Sequence, residues 1–226
     1  MSELYLVRHG QASFGAANYD QLSPLGFEQS RLLGQYFRER EITFDRIICG
    51  GMQRHRQTLT AIGEGIGGFC CEAEQDLGWN EFQFQQLAAA YLALNPHMQP
   101  APDAPKRAFL EVLKKSLQAW SKGELPEQTL DESWVTFETR VSASLSHIIA
   151  QPDKNKVLIV SSGGAISMAL RQILRADAET MIALNLQTAN TAVSRCHFNP
   201  QGFSLHSFNH LPHLHEIEKS QHISFF

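Results

Sequence analysis

Cysteine is scarce in this chain of 226 residues, with only four present. They are Cys49, Cys70, Cys71 and Cys196. None forms a Cys-x-x-Cys pair and two are adjacent, which fits neither a disulfide framework nor zinc-ligand spacing. They read as reduced, buried thiols. Long apolar runs are also missing: none approaches the roughly 18 residues that suggest a membrane span. The first residues carry no basic stretch and no cleavage site. The expectation is a cytoplasmic protein with no membrane partner. An excess of positive charge is absent too. Nineteen Lys and Arg stand against 23 Asp and Glu, for a formal net charge of −4. That argues against the basic stripe of a general nucleic-acid binder, while leaving room for a local cationic pocket. There is no Gly-x-x-x-x-Gly-Lys-Ser/Thr, no His-Glu-x-x-His, no internal repeat and no low-complexity tract.

What is present is an ordinary globular composition, 43% hydrophobic and 19% charged, enough for a sizeable core. Leu4–Val7 reads as a buried strand. A helix should follow it, with Ser23 as N-cap and Pro24 in the first helical position. Leu25, Leu32, Leu33, Tyr36 and Phe37 then recur at helical spacing. Phe44–Cys49 reads as a second strand, ending at Gly50-Gly51. The next helix runs from about Gln53 to Ile62 and breaks at the glycines after it.

The segment from about Leu77 to Gln151 is helical and polar, with a proline-rich break at Pro96–Pro105. Trp134, Phe137, Val141, Leu145 and Ile148 form an amphipathic stripe there, with Asp131 as a plausible N-cap. Val157–Val160 is the clearest buried strand. Gly163-Gly164 and a helix from Ala165 to about Leu174 follow it. Thr191–Phe198 and Phe203–Phe208 read as late strands joined by a turn at Asn199–Gly202. The alternation implies an α/β fold: a mainly parallel open sheet with helices on both faces. One domain would span residues 1–226, with a helical cap inserted at about 82–151.

The chemistry is concentrated in Leu4-Tyr5-Leu6-Val7-Arg8-His9-Gly10. A buried strand delivers a guanidinium and an imidazole to its carboxyl end, where ligands bind in open α/β sheets. The glycine lets the backbone turn or approach closely. Arg8 would neutralise phosphoryl oxygens and help keep His9 unprotonated and nucleophilic.

This start closely resembles the histidine phosphatase superfamily, the phosphoglycerate mutase-like proteins. Their phosphoryl group is carried on the histidine of such an Arg-His-Gly. Gly50-Gly51-Met52-Gln53-Arg54-His55-Arg56-Gln57-Thr58 resembles the family's Ser-x-Leu-x-Arg-Ala-x-Gln-Thr. Gly50, Met52 and His55 replace Ser, Leu and Ala. The resemblance makes Arg54 a phosphate-binding arginine; alone, Arg54 and Arg56 would read as a solvated helix face. Leu77–Phe84 resembles the family's Leu-x-Glu element, with Trp79 at the leucine and Glu81 as the acid that protonates the leaving oxygen. Trp79 and Phe82 would raise the pKa of Glu81, while Arg8 and Arg54 would lower it.

The fourth element departs from the pattern. Ser-His-Gly-Gly becomes Ser161-Ser162-Gly163-Gly164, so Ser162 stands where the second histidine is expected. The glycines still set a strand end against a helix N-terminus, whose N–H groups favour an anion. His55 and His213 are the two histidines that would take the missing place. The mutases carry an asparagine six residues after their histidine; here that position is Gly15, with Asn18 nearby, which favours a phosphatase over a mutase.

The resemblance therefore implies a phosphomonoester hydrolase. His9 and Glu81 would be catalytic, and Arg8, Arg54, Ser162 and the Gly163 backbone would hold phosphate. No metal or cofactor is called for. The substrate would be a phosphorylated small molecule or a phosphoprotein. A catalytically silent module that binds a phosphorylated ligand is the alternative, opened by Ser162. Other signals are set aside. Gly63–Gly68 formally contains Gly-x-Gly-x-x-Gly but ends a helix and reads as a cap and loop. His206, His210, His213, His215 and His222 read as a solvated tail. Lys106-Arg107 and Lys114-Lys115 read as surface charge on the cap.

Overall fold

A computed structural model describes residues 2–13, 20–101, 103–151, 155–215 and 219–225. Gly15 and Asn18 lie outside the described residues. The elements run β1 (Ser2–Arg8), α1 (Pro24–Glu39), β2 (Arg46–Cys49), α2 (Gln53–Ile66), β3 (Ala73–Gln75), α3 (Phe84–Leu94), α4 (Lys106–Ser121), α5 (Trp134–Ile149), β4 (Lys156–Ser161), α6 (Gly163–Leu174), α7 (Ala178–Gln187), β5 (Val193–Asn199) and β6 (Gly202–His210).

The six strands form one sheet in the order β3-β2-β4-β1-β5-β6. β1, β4, β2 and β3 run parallel, and β5 and β6 add an antiparallel edge. Alternation along the central strands divides the core in two. Leu4 and Leu6 of β1, with Val157 and Ile159 of β4, face Phe137, Val141 and Ile148 of α5 and Ile166 and Leu170 of α6. Tyr5 and Val7, with Leu158 and Val160, face Leu33 and Phe37 of α1 and Leu59 and Ile62 of α2. This is an α/β fold with helices on both faces, as the alternation of elements predicts. The carboxyl ends of β1, β2 and β4 therefore open on one sheet edge. Val7 pairs with Val160, and Cys49 pairs with Val160 across the other side.

Local chemistry accounts for several boundaries. Ser23 caps α1, its Oγ accepting the Gly26 N–H at 3.1 Å, and Pro24 opens the helix. α5 is capped by Ser133, whose hydroxyl accepts the Thr136 N–H at 3.1 Å, and not by Asp131. The Asp131 N–H instead donates to the Gln86 side chain at 3.1 Å. Two elements carry no strong sequence signal: the three-residue β3, and α7, capped by Asp177 through the Thr180 N–H at 2.8 Å. The cysteine expectation needs correction. Cys49 and Cys196 are buried, but Cys70 is exposed and Cys71 half-buried. Burial pushes the Cys49 and Cys196 thiols up to about 12, which leaves them protonated and inert.

The second helix also differs from expectation. α2 does not break after Ile62 but runs to Ile66 and ends on Gly67, whose φ of 94° suits the left-handed cap. Gly65 stays inside the helix because α1 crosses there. A Cβ on Gly65 would lie 2.1 Å from the Arg31 carbonyl oxygen, and one on Gly34 would lie 2.2 Å from that of Ile62. The glycine-rich run is thus partly a packing surface. Gly63 differs: its Cβ would meet only the edge of the Phe69 ring, at 3.1 Å. Gly65→Ala should lower the unfolding free energy by about 1–3 kcal/mol through overpacking. Gly63→Ala should leave it unchanged or raise it by up to about 1 kcal/mol, the helix-propensity gain. Urea denaturation of the two variants reads the opposite signs; equal midpoints would show that the α1–α2 crossing is not close-packed.

Candidate active site

His9 leaves the end of β1 and is buried. Its backbone is fixed on both sides: the N–H donates to the Ser161 carbonyl at 2.8 Å, and the carbonyl accepts from Asn190 Nδ2 at 3.2 Å. Nδ1 lies 2.7 Å from the Gly10 carbonyl oxygen, an acceptor only, so Nδ1 carries the hydrogen. Nε2 then presents its lone pair, toward which Arg54 Nε donates at 3.2 Å. Burial, with Arg54, Arg8 and His55 adding their influence, holds His9 well below the usual histidine range. The ring is neutral. Gly10 is required by approach: a Cβ there would lie 2.3 Å from the Gly26 carbonyl oxygen.

Arg54 comes from the first turn of α2 and is buried. Its Nη1 forms a salt bridge to Asp20 Oδ1 at 2.9 Å, and Nη2 reaches Ser162 Oγ at 3.4 Å. Asp20 also accepts the Gln53 N–H at 2.8 Å, so it caps α2, which has no side-chain cap of its own. Thr58, one turn along, accepts the Gly10 N–H at 3.0 Å and donates to the Arg54 carbonyl at 2.8 Å. It locks the helix to the His9 loop. Arg8 is half-buried, and its Nη1 donates to the Thr188 carbonyl. Its Nε passes 3.6 Å from where a Gly163 Cβ would stand.

Glu81 follows the 3-10 turn Leu77–Trp79, which is anchored by the Ser161 hydroxyl donating to the Trp79 carbonyl at 2.6 Å. Oε2 of Glu81 accepts the Gly164 N–H at 3.0 Å, at the start of α6. A Cβ on Gly164 would lie 2.1 Å from Oε1 and 2.3 Å from the Phe82 ring, so only glycine admits the carboxylate there. Burial raises the pKa of Glu81 against the lowering influence of the Gly164 N–H, Arg54 and Arg8. The competition between burial and the two arginines resolves in favour of burial.

His9, Arg8, Arg54, Glu81, Ser162 and Gly163 thus converge on the edge formed by β1, β2 and β4. The two spare histidines separate. His55 is fully buried, with Nε2 2.7 Å from Ser162 Oγ and its ring centroid 5.8 Å from that of His9. His213 is tied instead to Thr191 Oγ1, at 2.9 Å. It too is buried, so the reading of a solvated tail fails for it; His210 and His215 do lie exposed, 3.1 Å apart through Nε2. Asp20 and Asn190 carry no local sequence signal, because each meets its partner only through the fold. Thr58 has one, its i, i+4 position relative to Arg54. Among the described residues no group of three or more His, Cys, Asp or Glu gathers to ligate a metal. The two arginines and the helix N-terminus suit an anion.

Comparisons with known proteins bear on the family and the fold. The family model described as the histidine phosphatase superfamily (branch 1) matches residues 4–211. A Hydrogenobacter thermophilus protein carrying the name phosphoserine phosphatase 2 is 26% identical over 225 residues, covering 96% of this chain and 100% of its own. A Serratia proteamaculans protein carrying the name phosphoglycerate mutase GpmB is 27% identical over 202 residues, covering 86% and 84%. Among solved structures, phosphoglycerate mutase from Bacillus anthracis superposes with a TM-score of 0.68 at 16% identity, covering 94% of each chain. Phosphoserine phosphatase from Entamoeba histolytica, in complex with 3-phosphoglyceric acid, gives 0.66 at 20% identity, covering 95% of this chain and all of its own.

His213 also generates a stability prediction. Burial lowers its pKa to about 3, whereas the unfolded ring binds a proton near 6.5. The unfolded state therefore binds more protons below pH 6.5. The folded state is fully favoured above that pH and loses stability as pH falls toward the folded value. Between pH 7.5 and 5 this one ring should cost about 2 kcal/mol. His213→Gln removes the titration and keeps a polar partner for Thr191. Urea unfolding at both pH values should show a pH-dependent loss smaller by about that amount; an identical loss would remove His213 from the acid sensitivity.

Proposed function

The chain belongs to the histidine phosphatase superfamily, and on that premise we propose that it hydrolyses phosphomonoesters through a phosphohistidine on His9. One observation carries the reading: a buried neutral imidazole whose Nδ1–H is held by Gly10 and whose Nε2 lone pair faces the Arg54 guanidinium. A nucleophile needs an unprotonated nitrogen, and an incoming phosphoryl group needs a cation beside it.

The reaction follows from these positions. Nε2 attacks phosphorus in line with the ester oxygen. Arg8, Arg54, Ser162 and the Gly163 N–H hold the three remaining oxygens as charge shifts onto them. The P–O ester bond breaks as Glu81 passes its proton to the leaving oxygen. The raised pKa of Glu81 favours the acid form this step needs. Glu81, now a carboxylate, takes a proton from water as that water attacks phosphohistidine. Phosphate leaves, and His9 is again neutral. Burial of Trp79 and Phe82 beside Glu81 keeps the local dielectric low, which strengthens each of these interactions.

The names of the relatives support a small phosphorylated metabolite as substrate class. Within a single domain of residues 1–226, the cap from about 82 to 151 would carry the selectivity, since it begins beside Glu81. A panel of phosphomonoesters, scored for turnover and for acid-labile phosphoryl labelling, tests the reading. His9→Ala should abolish both while the protein stays folded. Glu81→Gln should slow esters with poor leaving groups by about 10²–10⁴-fold, and nitrophenyl phosphate far less, because its leaving group needs little protonation. Tight binding of phosphate esters with no turnover would overturn the proposal in favour of a non-catalytic binding module.

A further inference from the structure

The segment 219–225 lies against the loop that carries His9, and directed hydrogen bonds join the two. The peptide between His9 and Gly10 is held at both ends. Its N–H donates to Thr58 Oγ1 at 3.0 Å, and its carbonyl accepts from Asn190 Nδ2 at 3.2 Å and from the Thr191 N–H at 3.3 Å. The next peptide, between Gly10 and Gln11, carries the carbonyl that takes the His9 Nδ1–H, and its own N–H donates to Gln29 Oε1 at 2.9 Å. Gln29 belongs to α1 and Asn190 precedes β5, and both are buried. They meet at one hydroxyl. Gln29 Nε2 donates to Ser224 Oγ at 2.9 Å, and that hydroxyl donates to Asn190 Oδ1 at 2.9 Å. Backbone bonds seat the segment: the Asn190 N–H donates to the Ser224 carbonyl at 2.8 Å, and Gln29 Nε2 donates to the His222 carbonyl at 2.6 Å. Each amide thus has its oxygen and its nitrogen fixed by what it meets. Thr191 completes the hold in an unfavourable conformation. It is β-branched, yet its φ of 56° is left-handed, and its N–H is shared between the His9 carbonyl and that of Arg8, at 3.1 Å.

Resting on the phosphohistidine reading, we propose that Ser224 is a positioning residue for His9. Its hydroxyl sets the amides of Asn190 and Gln29, and these fix the two peptides that orient the imidazole. The reason lies in what the ring needs. Its Nδ1–H must stay on the Gly10 carbonyl for Nε2 to remain unprotonated and aimed at phosphorus. The tilt of that carbonyl depends on the Gly10–Gln11 peptide, which Gln29 holds, and on the peptide before it, which Asn190 holds. Without the Ser224 hydroxyl, a buried amide nitrogen and a buried amide oxygen lose the partner they share. The side chains turn to find other partners, and the backbone on each side of Gly10 loses a fixed point. Ser224, Gln29 and Asn190 are neutral, so they act on the nucleophile through geometry and not through its charge.

The test combines kinetics with a probe of the ring itself. Turnover of p-nitrophenyl phosphate gives kcat and KM, with unfolding midpoints measured alongside. The His9 Nδ1–H resonance, assigned by its loss in His9→Ala, gives the rate of hydrogen exchange with water. Ser224→Ala should lower kcat about 10- to 100-fold with little change in KM, because a small displacement of the attacking atom is enough. Its Nδ1–H should exchange at least about tenfold faster, as the hold of the Gly10 carbonyl weakens. Asn190→Ala should act in the same direction, and adding Ser224→Ala to it should cost little more, since both cut one chain of bonds. Ser224→Thr keeps the hydroxyl and should stay within about threefold of wild type in both readings. Phe225→Ala, at the exposed neighbour, should change neither. A folded Ser224→Ala variant with unchanged kcat or unchanged exchange would overturn the inference, even if less stable, and so would a Ser224→Thr variant no better than Ser224→Ala. If Ser224→Ala does not fold, Ser224→Cys takes its place under the same criteria. The two claims separate cleanly. Inert wild type overturns the phosphohistidine reading, and the exchange rates alone then decide whether Ser224 positions the ring.

Discussion

The site is organised by a single buried cation. The Arg54 guanidinium is almost wholly buried, and a buried charge is tolerable only when paired. Asp20 supplies the pair, and the same carboxylate caps the helix that carries Arg54. Helix start, charge and charge partner are thus one unit. The remaining edges of the guanidinium point to His9 and Ser162. The cation also acts at a distance on proton positions: it disfavours a second charge on His9 and on His55, and it leaves both imidazoles neutral.

Burial acts with opposite sign on His9 and Glu81, the two groups proposed to act as nucleophile and acid. It lowers the affinity of His9 for a proton and raises that of Glu81, because each charged form loses its hydration. For His9 the arginines reinforce the effect; for Glu81 they oppose it and lose. A neutral nucleophile and a protonated acid are what ester cleavage asks for at its start. The same low-dielectric environment therefore prepares both groups, without separate devices for each.

Close backbone approach is the second constraint. Gly10 lets the His9 loop lie against the start of α1, Gly164 admits the Glu81 carboxylate to the start of α6, and Gly50 makes room for the His55 ring. At each a side chain would overlap a neighbour instead of merely crowding it. The site is consequently assembled from strand and helix ends held at near-contact, and hydrogen-bonded residues in it stand up to 181 positions apart in the chain.

Much of this organisation is legible in the order of residues. Ser23-Pro24 announces the start of α1 because capping is local chemistry, and the apolar runs at residues 4–7 and 157–160 announce central strands because burial on both faces leaves no polar position. Arg8-His9-Gly10, placed at such a strand end, announces the family and the candidate nucleophile. The sequence does not reveal that Asp20 pairs with Arg54, that burial outweighs two arginines at Glu81, or that α2 continues through Gly65. Nor does it choose between His55 and His213 as the ring beside Ser162. Those outcomes depend on which surfaces meet, and local propensity and spacing act only within a few turns. His55 and Ser162 are 107 residues apart; only the packing of α2 against the end of β4 brings their side chains to hydrogen-bonding distance.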